Sequence, residues 1–283
     1  MLANMNAENK VPRRRLPFWH TVIDAYVVTY DNLGYLARIS WAWLLVMVPI
    51  SFAFYALMFR LGWHQAPQST IGSIFNSFGT SILFLPILAS IAVAWHRKLL
   101  EGEIWQSSVY LRLDRVVANY IGLALIIVLL VLAPFAGFLS SAANMATADE
   151  VPVFGLIGLS CLIVMCAGIF VATRIWLALP ARALGRDNIA VGDAWTATRG
   201  SFWRLLWGSA LCIFPIIIVL TVLAWATIGV DDPEATTIGK YALQQTLFEF
   251  VVTFLATMPT VSFLSLAYRW LVMNGTGEPQ DTN

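Results

Sequence analysis

The sequence predicts an all-α membrane protein: a polytopic helical bundle of six transmembrane helices, with interfacial amphipathic helices and an internal parallel repeat. Three observations lead there. Six long apolar runs alternate with polar gaps. Only 12% of residues are charged, where soluble domains carry about 25%, and 59% are hydrophobic. Lys and Arg collect in every second gap: the stretches 1–38, 96–115, 174–204 and 269–283 hold five, four, five and one of the 17. The other two, Arg60 and Lys240, neighbour gaps that carry Asp149, Glu150, Asp231, Asp232 and Glu234. Short loops rich in Lys and Arg stay on the cytoplasmic side, so a multi-pass protein of the bacterial inner (plasma) membrane is expected, with both termini cytoplasmic.

The arm at 1–17 contains Arg13, Arg14 and Arg15 but runs into Pro17 instead of an apolar stretch. It therefore reads as a flexible cytoplasmic arm and not as a signal peptide. Next, Phe18, Trp19, Val22, Ile23, Tyr26, Val27, Tyr30 and Leu33 fall at helical spacing, with His20, Asp24 and Asp31 off that face. Such a helix either lies in the interface plane or braces the bundle from below. Val191, Ala194, Trp195, Thr198, Phe202, Leu205 and Leu206 repeat the pattern, with Asp187 or Asn188 as cap and Gly200 as interruption.

The apolar runs lie at 36–61, 72–96, 116–140, 153–179, 204–229 and 241–271. Each reaches the ~20 residues that cross ~30 Å of hydrocarbon at 1.5 Å per residue. They lack the two-residue alternation of barrel strands, which leaves helices as the means of satisfying backbone groups in lipid. Pro49, Pro86, Pro134, Pro215 and Pro259 sit inside five of them and bend each helix near mid-depth. Most of the 12 Trp residues mark the ends next to basic gaps, as an aromatic belt does. Cys161, Cys166 and Cys212 fall within runs, where free Cys packs as a small apolar side chain.

The whole chain reads as one membrane domain, 1–283. Asp24-Ala25-Tyr26 and Thr29 match Asp193-Ala194-Trp195 and Thr198; Trp41 and Pro49 match Trp207 and Pro215; Pro86, Ala94 and Trp95 match Pro259, Ala267 and Tyr268. The matches keep their order, which makes 18–98 and 189–271 repeat units, and both begin in the cytoplasm, which makes the repeat parallel. A middle unit at 105–179 follows the same plan, with Arg174 placed like Arg97 and Arg269, and a flexible tail at 274–283 closes the chain.

Two groups of residues are candidate sites. Glu249 falls about eight residues into the last run, so ~12 Å deep, where an unpaired carboxylate costs at least ~2.5 kcal/mol. Its repeat counterpart is Asn76; Gln245 shares the layer and Arg60 is the basic residue near enough to reach down. This is either a polar intramembrane site for an ion or proton, or an interhelical hydrogen-bond cluster. The second group, His96, Arg97, Asp193, Trp195, Arg199, Trp203 and Arg204, would form a cytoplasmic interface. Cations such as Arg97 at the end of an inward helix complement its dipole and snorkel to headgroups. No phosphate loop, dinucleotide fingerprint, serine elbow or zincin helix is present, and His20 and His64 stand alone. Catalytic residues, cofactors and metals are therefore expected to be none. Nucleic acid is excluded for want of a basic face interleaved with stacking aromatics.

Two segments resemble a family of uncharacterised, chiefly alphaproteobacterial six-span inner-membrane proteins. They are Trp95-His96-Arg97 with Glu101-Gly102-Glu103, and Leu179-Pro180-Ala181 through Gly192-Asp193-Ala194-Trp195 and Thr198-Arg199-Gly200 to Phe202-Trp203-Arg204-Leu205. The second is also similar to the membrane portion of some glycerophosphoryl diester phosphodiesterases. Their soluble barrel has no counterpart in these residues, so the resemblance implies six-span topology and no hydrolase activity. The expectation is a non-enzymatic protein that binds or organises membrane lipids or partner membrane proteins through its cytoplasmic interface. The alternative is a small transporter for an amphiphilic or charged solute, using the site around Glu249. The sequence leaves the oligomeric state open.

Overall fold

A computed structural model describes residues 15–61, 70–145, 151–186, 191–228 and 238–273. Within them the chain is all-helical. The helices are α1 (Phe18–Asp31), α2 (Leu33–Arg60), α3 (Thr70–Glu101), α4 (Arg115–Met145), α5 (Val151–Ile175), α6 (Ala178–Ala183), α7 (Val191–Ala197), α8 (Phe202–Ile228) and α9 (Ile238–Tyr268). A π-helical turn, Arg269–Met273, continues α9. Among the described residues, five helices are long and apolar enough to cross a membrane: Leu33–Leu57, Ile82–Glu101, Arg115–Ala142, Val153–Ile175 and Phe202–Val219.

Local chemistry sets the breaks. Asn32 separates α1 from α2, its amide donating to the Val28 carbonyl at 2.8 Å in competition with the helical ladder. The fourth apolar run was expected to continue to residue 179, but α5 stops at Ile175 and a fresh turn begins at Ala178. Pro180 is the reason: it has no N–H to bond residue 176, yet fits the first turn of a new helix, where that donor is unpaired anyway. Gly200, at φ +84, takes the left-handed conformation between α7 and α8 and interrupts the amphipathic segment as its residue type demands. The expected caps Asp187 and Asn188 lie outside the described residues.

The long helices follow one another round a ring, α2–α3–α4–α5–α8–α9 and back to α2, with α3 and α9 also touching across it. The core centres on that crossing: Ile91, Val93 and Trp95 from α3 meet Met258, Phe263 and Tyr268 from α9, all fully enclosed. Close approach uses glycine. A Cβ on Gly168 of α5 would stand 2.1 Å from the Leu130 carbonyl oxygen of α4, and one on Gly208 of α8 would stand 2.2 Å from the Phe263 ring. Away from the ring's interior, Leu156, Ile163, Phe214 and Ile218 are exposed, an inverse of the soluble pattern that fits a lipid surround.

The shorter elements brace this ring. Helix α1 packs on α8 and α9, α6 on α3, α4 and α9, and α7 on α5. The apolar arc of α1 is wide enough to serve two surroundings. Val22, Ala25 and Thr29 are buried, while Trp19 (66% exposed), Ile23, Val27 and Tyr30 face outward. Pro215 leaves the Leu211 carbonyl of α8 without its helical donor, and the Tyr26 hydroxyl supplies one at 2.8 Å, with Cys212 O at 3.2 Å. Burial pushes the Tyr26 phenol up to about 12, so it remains a donor.

Candidate functional site

The basic gaps converge at one end of the bundle, where several of their cations bond the chain itself. The Arg97 side chain donates Nε to the Ala183 carbonyl at 2.8 Å and Nη1 to Glu103 at 2.9 Å. A guanidinium N–H of Arg269 reaches the Leu99 carbonyl, that of Arg38 the Trp105 carbonyl, and that of Arg204 the Leu16 carbonyl. Lys98 donates to Asn32 Oδ1 at 2.6 Å. Arg174 donates to the Trp195 carbonyl at 3.3 Å and lies 4.9 Å from the Phe170 ring and 4.8 Å from the Trp195 ring. Leu99, Ala183 and Trp195 belong to the last turns of α3, α6 and α7, whose carbonyls have no helical partner and carry the negative end of the dipole. Arginine from a neighbouring segment satisfies both needs. Arg60 closes α2 at the far end, about 40 Å away along a helix of 28 residues.

Just inside this layer lies a buried polar network whose proton directions follow from the geometry. Ser265 Oγ donates to the Val261 carbonyl at 2.9 Å, so it can only accept from His96 Nδ1, 2.7 Å away. The proton therefore sits on Nδ1, and Nε2 accepts from the Tyr120 hydroxyl at 3.3 Å. In parallel, Trp95 Nε1 donates to Ser262 Oγ at 2.7 Å, Ser262 to Thr29 Oγ1 at 2.8 Å, and Thr29 to the Ala25 carbonyl at 2.6 Å. Two adjacent residues of α3 thus grip two serines of α9 and recruit α1 and α4. A satisfied network in a low-dielectric site fixes helix register, since any slip strands its members at about 1–3 kcal/mol each.

The segment 102–114 folds back along α2 and α3. Tyr110 OH donates to the Ser90 carbonyl at 3.0 Å, Ser90 Oγ to the Arg112 carbonyl at 2.6 Å, and Trp41 Nε1 to the Ser108 carbonyl at 2.8 Å. Burial pushes the Tyr110 phenol up to about 12. Asp114 ends the segment as the N-terminal cap of α4, accepting the Val117 N–H at 3.0 Å and the Arg112 guanidinium at 2.7 Å. Partial burial works to raise its carboxyl, but these two donors prevail and hold it below the usual carboxylate range.

Of the expected interface residues, His96 requires correction: it is 0% exposed and belongs to the core network, not to a surface. Arg97 is half-buried and reaches sideways to α6, where snorkelling to headgroups was expected. Asp193, Arg199 and Trp203 are exposed, while Trp195 and Arg204 are half-buried. The layer is thus built as two patches: His96 and Arg97 meet α4, α6 and α9, whereas the residues of α7 and α8 meet α5 and Leu16. The proposed polar layer is described only in outline. Asn76 lies on α3, and Gln245 and Glu249 on α9, but their side chains are outside the described residues; Arg60 is exposed. Among the described residues, no three His, Cys, Asp or Glu side chains gather as a metal would require.

Sequence reasoning missed Thr29, Trp95, Tyr120, Ser262 and Ser265. The signal was present: Ser262 and Ser265 fall at i, i+3 in an apolar run, on the helix that buries most of its last half. Compared with protein-family models, curated proteins and solved structures, the chain matches none.

Proposed function

We propose that the chain is a non-enzymatic integral protein of the bacterial inner membrane, with six spans and both termini cytoplasmic, that binds or organises lipids or partner membrane proteins at its basic end. The observation that carries this reading is the outer face of that end. Trp19, Ile23, Val27 and Tyr30 of α1 and Trp203 and Trp207 of α8 are all exposed beside a layer that several of its own cations brace. A braced platform with an aromatic and aliphatic rim suits binding at the membrane interface better than it suits chemistry.

In this reading α9 is the sixth span and the ring is three hairpins, α2–α3, α4–α5 and α8–α9, each docking its leading segment on the hairpin before it. That order is supported by α1 on α8 and α9, α7 on α5, and the 102–114 segment on α2 and α3. Matched residues of the first and third units also share their surroundings. Ala25 and Ala194, Thr29 and Thr198, and Trp95 and Tyr268 are buried, whereas Asp24 and Asp193, and Trp41 and Trp207, are exposed. The two segments that resemble the six-span family, 95–103 and 179–205, contribute to the platform together with α1 and the 102–114 segment.

The test is native mass spectrometry of the full chain released from mild detergent, beside the variant Trp19→Gln/Val27→Gln. Retained phospholipid or a stoichiometric protein partner is expected for the wild type, with at least a severalfold loss in the variant. A wild-type chain that retains neither, under conditions where another six-span protein keeps its lipid, would end this reading.

A further inference from the structure

The 102–114 segment encloses a cleft that the bracing contacts leave open. It is lined by Tyr35, Arg97, Glu103, Trp105, Tyr110 and Arg112, and holds space for about one water molecule. Four cations surround it: Arg97 and Arg112 in the lining, Arg38 5.8 Å from the Tyr35 ring, and Lys98 4.1 Å from that ring. Glu103 and Asp114 answer Arg97 and Arg112, at 2.9 and 2.5 Å, so the two positive charges left over are those of Arg38 and Lys98 beside the lining. Arg97 commits Nε and Nη1, and Arg112 commits Nε and Nη2, so each guanidinium keeps one further nitrogen for a ligand. Tyr35 OH accepts the Trp105 N–H at 3.3 Å and keeps its own proton to donate.

The outer side of the same segment is apolar. Side chains alternate along it: Tyr110 and Arg112 turn inward, while Val109, Leu111 and Leu113 (64% exposed) turn outward, joined by Ile104 and Trp41. A soluble anion would gain nothing from that fringe. A phospholipid would, since it brings one phosphate and two acyl chains together at the depth of an aromatic belt.

We propose that the phosphate of an anionic phospholipid of the cytoplasmic leaflet docks across the mouth of this cleft, whose interior is too small to admit it, on Arg97, Arg112 and Tyr35, with acyl chains along Val109, Leu111 and Leu113. The proposal rests on the lipid-binding reading above and gives that reading a site and a lipid class.

The full chain, delipidated in detergent, would be titrated with phosphatidylglycerol, with phosphatidylcholine and with inorganic phosphate, and followed by native mass spectrometry and thermal melting. Preferential retention of phosphatidylglycerol is expected, with about a tenfold loss for Arg112→Gln and for Tyr35→Phe, the effect of one charge-assisted hydrogen bond. Leu111→Ser, at an exposed position, should weaken both lipids alike. Should Arg112→Gln not fold, Tyr35→Phe and Leu111→Ser carry the test. Wild-type retention in all folded variants would overturn the site while leaving lipid binding in place. Absence of any lipid retention would overturn both. Inorganic phosphate that stabilises the chain as well as the lipid does would show a soluble-anion site and overturn the lipid assignment.

Discussion

The pair α3–α9 and the pair α4–α5 hold together by different means. Between α3 and α9 the join is polar: Trp95 and His96 on one side, Ser262 and Ser265 on the other, with hydroxyls of α1 and α4 completing the valences. Between α4 and α5 the join is mainly steric: Gly137, Gly158 and Gly168 let side chains and backbone of the partner come within contact distance, and a single hydroxyl, that of Ser141, donates across it to the Phe154 carbonyl. Among the apolar helices α3 is the most covered and α5 the least. Where a helix is surrounded by protein, buried hydrogen bonds can define its register; where it faces lipid on most sides, the remaining contact must be close to compete with lipid packing.

That contrast can be broken at either join. The largest effect is expected at Gly168→Ala, whose new methyl would meet the Leu130 carbonyl at 2.1 Å, a backbone atom with no freedom to withdraw. A cost of about 3 kcal/mol is expected in thermal or denaturant unfolding in detergent. Gly34→Ala is the control: nothing lies within 4 Å of its Cβ, so helix propensity alone should leave it neutral or stabilised by up to about 1 kcal/mol. Equal effects of the two would remove the steric account of α4–α5.

At the polar join, Trp95→Phe keeps an aromatic ring but removes the donor to Ser262 and part of a fully buried side chain, and should cost about 2 kcal/mol. A double-mutant cycle with Ser262→Ala should return a coupling of about 1 kcal/mol; additivity would mean that the hydrogen bond contributes nothing. Smaller still is Tyr26→Phe, at about 1 kcal/mol, and the loss should shrink in a Pro215→Ala background, where the restored N–H answers the Leu211 carbonyl. An undiminished loss would detach Tyr26 from the proline.

The smallest effect belongs to Asp114. Its carboxyl titrates lower in the folded chain than in the unfolded one, so its contribution is complete above the ordinary carboxylate range and fades as pH falls through the folded value. Melting followed from pH 7 to pH 3 should therefore drop less steeply in Asp114→Ala than in the wild type, from a starting point about 1 kcal/mol lower for the missing cap. Parallel curves would rule out this linkage.

The same contrast explains how much was legible in the sequence. Apolar runs and basic gaps gave the helices and the end at which Arg97, Arg174 and Arg269 gather, because hydropathy and charge are properties of segments. The end of α5 was misplaced because Leu177 and Leu179 are as apolar as a span, and only the missing N–H of Pro180 tells them apart. His96 was expected in the cytoplasmic interface because it adjoins the charged Arg97 at the end of an apolar run. Its burial depends on Ser265 and Tyr120, 169 and 24 residues away, and no local pattern contains that information.

The account depends most on the basic segments sharing one side of the membrane, and cysteine labelling in cells tests this directly. In a chain lacking Cys161, Cys166 and Cys212, Arg60→Cys and Gln106→Cys would each be treated with a membrane-impermeant maleimide before and after permeabilisation. Labelling of Arg60→Cys in intact cells, and of Gln106→Cys only once the membrane is opened, is the predicted result. Labelling of both from the same side would contradict the topology and, with it, the proposed interface.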